Sequence, residues 1–113
     1  MKEAEARFTV GQIFATRLPD WSKFDLESFP ISNYIIFKDD LEPTFEGSRE
    51  KLNQARTILN EHGIEPLFMV DEEGGRVSQI ECFFTPAPSP LAIAEHAPER
   101  VSEIYARVST CLL

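Results

Sequence analysis

The chain has 113 residues, with 19 Asp and Glu against 11 Lys and Arg, for a formal net charge of -8. That length holds at most one small domain, and 42% hydrophobic with 11% aromatic residues supplies the apolar surface that a disordered segment lacks. An acidic balance without a Lys/Arg cluster argues against nucleic acid and anionic membranes as partners, since neither counterion release nor headgroup attraction is available.

The first seven residues alternate charge with alanine and lack the apolar core of a secretory signal. The longest apolar stretches, residues 34–37 and 66–70, fall far short of the roughly 20 residues that cross a bilayer. A cytoplasmic or mature chain is therefore expected. Residues 4–18 begin with helix formers and pass into Phe8-Thr9-Val10-Gly11-Gln12-Ile13-Phe14-Ala15, which leaves helix end and strand both open before Pro19 stops the run. Trp21, Phe24, Leu26 and Phe29 fit either a short helix or an irregular apolar strap, with Trp21 assigned to core packing instead of sugar stacking.

Tyr34-Ile35-Ile36-Phe37 is a continuous β-branched and aromatic run, which predicts a central parallel strand buried on both faces. Lys38-Asp39-Asp40 ends it as a solvated strand end. Leu52, Ala55, Ile58 and Leu59 recur at helical spacing among charged and amide residues, which predicts an amphipathic helix, and Gly63 stands where a left-handed residue closes one. Pro66-Leu67-Phe68-Met69-Val70 then predicts a second strand. Strand, helix and strand compose a right-handed βαβ unit, and both acidic groups, Asp39-Asp40 and Asp71-Glu72-Glu73, are expected at the carboxyl edge of its sheet, where α/β folds bind ligands.

Thr85-Pro86-Ala87-Pro88-Ser89-Pro90 predicts an extended loop. Leu91-Ala92-Ile93-Ala94 suits a short helical turn, and Val101, Ile104, Tyr105, Val108, Cys111 and Leu112 trace a further helical stripe. Cys82 and Cys111 lack metal-ligand or redox spacing and are expected as reduced, partly buried thiols. His62 at a helix end and His96 ahead of Pro98 are given structural places.

The chemistry-bearing segment is Val70-Asp71-Glu72-Glu73-Gly74-Gly75-Arg76-Val77. A carboxylate at a strand end is held by the sheet and accepts hydrogen bonds from ligand hydroxyls, while paired glycines let the backbone turn sharply. Arg76 either braces the carboxylates or reaches the ligand, and Glu73 bonds either its own turn or the ligand. Solvated loop and binding edge both fit this pattern.

With Tyr34-Ile35-Ile36-Phe37 before it, the proline loop after it and Val10-Gly11-Gln12-Ile13-Phe14 at the start, the segment resembles the N-terminal domain of family-three glycoside hydrolases, most closely the β-N-acetylhexosaminidase branch. The resemblance covers about residues 8–108. It implies an α/β fold, a (β/α)₈ TIM-type barrel, and retaining hydrolysis of terminal β-linked N-acetylglucosamine, as in peptidoglycan metabolism, without a cofactor or metal. It assigns Asp71 to the sugar hydroxyls and matches Arg76 and, three residues on, Gln79, where the family tends to carry a sugar-site arginine; Glu73 stays a further candidate from the residues alone, and Ser32-Asn33 stand where the family often has Gly-Gly.

A whole barrel of this type takes about 250 residues, so residues 1–113 are expected to form a partial domain of about three strands with their helices, unclosed. The family's lysine-histidine pair, catalytic histidine and nucleophilic aspartate have no match here, so no residue is assigned a catalytic role and the isolated chain is expected to be inactive. A non-catalytic sugar- or divalent-cation-binding module, completed by another chain that supplies the rest of the barrel, is the alternative. The oxygen-rich cluster lacks loop-ligand spacing for a dedicated metal site, and Gly74-Gly75 does not form a dinucleotide fingerprint.

Overall fold

Alanine and glutamate start the chain as a helix, α1 (Glu3–Gly11), whose Glu3 and Arg7 pair one turn apart at 2.6 Å. The computed structural model describes residues 2–85, 87–96, 99–100, 103–104 and 107. The elements that follow α1 are β1 (Ala15–Arg17), β2 (Asn33–Ile36), a single 3₁₀ turn (Lys38–Asp40), α2 (Phe45–Glu61), β3 (Leu67–Val70) and α3 (Pro90–His96). The chain divides into two compact units, Met1–Met69 and Val70–Leu113. The fold is mixed α/β, with one open sheet of three parallel strands in the order β1-β2-β3. β1 and β2 run in register from Ala15 opposite Asn33 to Arg17 opposite Ile35.

The segment left open between helix and strand is both: α1 ends at Gly11 and β1 begins four residues later. A Cβ at Gly11 would collide with the Pro30 carbonyl, so only glycine lets the end of α1 lie against the chain entering β2. Asn33 fastens the same junction from the strand side, its Nδ2 donating to the Gln12 carbonyl at 2.7 Å and the Phe14 carbonyl at 3.0 Å. Residues 18–30 form the irregular strap and no helix. Asp20 accepts from the Ser22 N–H and hydroxyl, and Asp25 from the N–H groups of Glu27 and Ser28; these local turns compete with helical pairing.

The core gathers Leu26, Tyr34, Ile36, Leu59 and Ile64, with Trp21, Phe24, Ile58 and Phe68 packed around it. Each such side chain, when fully buried, contributes about 1.5–3 kcal/mol. Trp21 is a core-packing residue as expected, its ring edge-on to Tyr34 at 5.7 Å between centroids. β2 departs from the expectation of two buried faces. Tyr34 and Ile36 are buried, Asn33 and Ile35 are half-buried, and Phe37 lies outside the strand and exposed, because the core closes over one face only. The run forming β3 is likewise less buried than predicted: Leu67 is exposed and Phe68, Met69 and Val70 are half-buried at the last strand of the order.

α2 has the predicted Gly63 closure and, in addition, an N-cap that the sequence reading did not name. Thr44 Oγ1 accepts the Gly47 N–H at 3.0 Å, and at the other end the Gly63 N–H reaches the Asn60 carbonyl while the Ile64 N–H reaches that of Leu59. With Gly63 at φ +72° this is a Schellman closure, and its customary apolar contact is made by Leu59 and Ile64, both core residues. Leu91-Ala92-Ile93-Ala94 belong to the longer α3, started by Ser89, whose Oγ accepts the Ala92 N–H at 3.2 Å, and by Pro90 at the first helical position. Cys82 is exposed, contrary to expectation. Of the last predicted stripe, Val101, Tyr105, Val108, Cys111 and Leu112 lie outside the described residues, and Ile104 is exposed. No helix among the described residues is long and apolar enough to cross a membrane.

Candidate functional site

Chain direction reverses just beyond β3. Gly74 and Val77 form an isolated antiparallel bridge, the Val77 N–H donates to the Gly74 carbonyl at 3.3 Å, and the Glu73 N–H donates to the Val77 carbonyl at 3.1 Å. The two residues between them are Gly75, at φ +62°, and Arg76, which has an ordinary negative φ. Positive then negative φ across a two-residue loop is the sign pattern of a type II′ hairpin turn, which takes glycine at its first central position.

Two ties hold this turn. The Glu72 carboxylate accepts the Gln79 N–H at 2.8 Å and the Ile80 N–H at 3.3 Å, closing the segment after the hairpin onto the one before it. The Gly75 N–H donates to the Ala87 carbonyl at 2.7 Å, fastening the turn to the proline loop. Prolines at 86, 88 and 90 have no N–H to offer, so the loop contributes carbonyls, and the glycine amide meets one of them.

What remains outward is polar. Asp71, Glu73 and Arg76 are exposed, and none of their side chains has a hydrogen bond or ion pair among the described residues. Arg76 therefore does not brace the carboxylates, which removes one of its two roles. The backbone-bonding role left open for Glu73 falls to Glu72, which the sequence did not single out. Had Gly74-Gly75-Arg76-Val77 been taken as a hairpin turn, Glu72 would have been placed opposite Gln79 from the count alone. Gln79 is half-buried, and its amide rather than its side chain is what Glu72 holds. Ser78, beside it, is buried with its hydroxyl unpartnered among the described residues.

Within the first unit, Asp39 and Asp40 are not one solvated strand end. Asp40 is only 11% exposed at its side chain and receives the Arg17 Nε at 3.0 and 3.2 Å and the Phe37 N–H at 2.9 Å, while Asp39 stays in solvent. Arg17 also lies over the Phe37 ring at 5.1 Å, so Asp40 and Phe37 together fix its position. The two histidines are where the sequence puts them: His62 caps α2, with Nδ1 2.9 Å from the Ile58 carbonyl, and His96 ends α3 exposed. Among the described residues no group of three or more His, Cys, Asp or Glu is arranged to hold a metal ion. No family model, curated protein or solved structure matches this chain.

Proposed function

We propose that this chain is the N-terminal part of a (β/α)₈-type barrel in a β-N-acetylhexosaminidase-like glycoside hydrolase, and that the segment after β3 supplies part of its sugar site. The observation that carries the proposal is the division of labour among adjacent carboxylates: Glu72 is consumed in holding the turn, whereas Asp71 is exposed and unpartnered among the described residues. A fixed carboxylate with its lone pairs free accepts hydrogen bonds from vicinal sugar hydroxyls. Arg76 at the corner of the II′ turn supplies donors to the same ligand, with Glu73 and Gln79 flanking it.

The parallel sheet is compatible with the opening strands of such a barrel. Retaining hydrolysis needs a nucleophile and an acid/base on either side of the glycosidic bond. In the proposed enzyme both come from segments without a match here, so these residues bind and orient sugar and perform no bond breaking. Saturation-transfer NMR with N-acetylglucosamine, run beside hydrolysis of a chromogenic N-acetyl-β-glucosaminide, tests the proposal. Transfer to the sugar that is lost in Asp71→Ala, without turnover, is the expected result; no transfer, or transfer indifferent to Asp71→Ala, would overturn it. Heat on calorimetric titration with Ca²⁺ but not with the sugar would favour a cation-binding module.

A further inference from the structure

We propose that Glu72 is the positioning residue of the sugar site, holding Asp71 and Arg76 in their binding geometry before a ligand arrives; the inference rests on the function proposed above. Along the extended backbone that follows β3, successive side chains point to opposite faces. Asp71 and Glu73 are exposed, whereas Glu72 is half-buried and Gly74 buried. The clamp therefore lies on one face of the segment and the outward carboxylates on the other.

The hairpin has little of its own to keep it in place. Its ladder amounts to the bridge between Gly74 and Val77 and two backbone hydrogen bonds of 3.1 and 3.3 Å, and an isolated two-stranded ribbon is marginally stable in water. Gly74 and Gly75, at φ +79° and +62°, make the sharp turn possible and also leave its backbone the widest choice of other conformations. Beyond the turn the chain is packed: Ser78 is buried, and Gln79 and Ile80 are half-buried. Glu72 ties the turn to that packed segment through a single atom, Oε2, which accepts the Gln79 N–H at 2.8 Å and the Ile80 N–H at 3.3 Å. Among the described residues no other side chain of 71–77 makes a hydrogen bond, since the Gly75 tie to Ala87 runs from backbone to backbone. Without the clamp the turn spends only part of its time in the competent geometry, and the apparent affinity falls by that fraction.

An NMR titration of the full chain with N-acetylglucosamine, beside backbone amide relaxation of the ligand-free protein, tests the role. Glu72→Ala removes the acceptor, and Glu72→Asp keeps the charge but falls one methylene short of the two N–H groups. Both should bind the sugar about tenfold more weakly and show nanosecond motion at the Asp71 and Arg76 amides, with the far-UV circular dichroism unchanged. Glu72→Gln lacks the charge but keeps a carbonyl oxygen at the same reach, so it should stay ordered and bind nearly as the unaltered chain does. Binding that is lost in Asp71→Ala yet kept in Glu72→Ala would overturn the positioning role and leave the sugar reading standing. Binding by Glu72→Gln as weak as by Glu72→Ala would overturn the role too, since charge and not the clamp would then govern. No binding by the unaltered chain would overturn the sugar reading itself and this inference with it.

Discussion

A Cβ built on Gly75 would stand 2.7 Å from the Cβ of Ser89 and 3.2 Å from its Cα. The backbone at Gly75 also has φ +62°, so an L side chain there meets torsional strain and a steric wall together. Gly63 has φ +72° with nothing within 4 Å of its Cβ position, which isolates the torsional cost. Gly63→Ala should lose about 1 kcal/mol and Gly75→Ala about 2–4 kcal/mol, measured by urea unfolding. Equal losses would mean that Ser89 gives way freely.

Glu72 and Asp71 are neighbours with opposite expected phenotypes. Glu72→Ala leaves the N–H groups of Gln79 and Ile80 without their acceptor and should cost about 1–3 kcal/mol. Faster amide exchange at those two positions should accompany it. Asp71→Ala, at an exposed site, should stay within about 0.5 kcal/mol of the unaltered chain, and under the proposed function it should abolish saturation transfer to N-acetylglucosamine.

Asn33 carries two carbonyls on one amide nitrogen. Asn33→Ala should cost about 1–3 kcal/mol, and Asn33→Asp more, since a carboxylate would face two carbonyl oxygens without a donor. Thermal melts of the two variants would rank them, and the reverse order would show that Asn33 acts chiefly by filling space.

Tyr34 sets the alkaline limit. Burial pushes its phenol up to about 12, against 10.0 ordinarily, while its hydroxyl donates to the Ile31 carbonyl at 2.7 Å. The unfolded chain therefore loses this proton first as the pH rises. The stability tied to the neutral phenol is whole below pH 10.0 and is lost on the way to about 12. Tyr34→Phe should start less stable near neutral pH and show a shallower decline across that window in urea midpoints taken at stepped pH. Parallel declines would assign the alkaline loss to other groups.

Ser78 gives the opposite kind of expectation. Its side chain is 7% exposed as a residue and its hydroxyl has no partner among the described residues. Ser78→Ala should therefore leave stability unchanged or raise it by up to about 1 kcal/mol, because an unmet polar group is removed. A clear loss would reveal an internal water bonded to that hydroxyl.

Local signals were legible where one residue type has one physical use. Gly63 closes α2 and the spacing of Ala55 and Leu59 marks its buried stripe, whereas Pro90, expected at the end of the extended loop, instead opens α3 because its fixed φ suits a first helical position. Burial was less legible, because Tyr34-Ile35-Ile36-Phe37 reads alike whether one face or both are covered; coverage is set by how many elements pack above the strand. In the acidic turn the glycine pair was legible as a sharp reversal, whereas Glu72 was hidden among three acids, since only the hairpin register tells which of them turns back on the chain. That Asp40 is held while Asp39 is not was equally hidden, because its partner Arg17 lies 23 residues upstream in β1.

Trp21 is the single tryptophan of the chain, and its ring neighbours, Phe24 and Tyr34, lie in the same unit. Its fluorescence is thus a local spectroscopic beacon for the aromatic cluster over β2. Far-UV dichroism sums every helix and strand, so a denaturation curve followed by both signals would separate melting of that cluster from loss of secondary structure elsewhere, with no label attached.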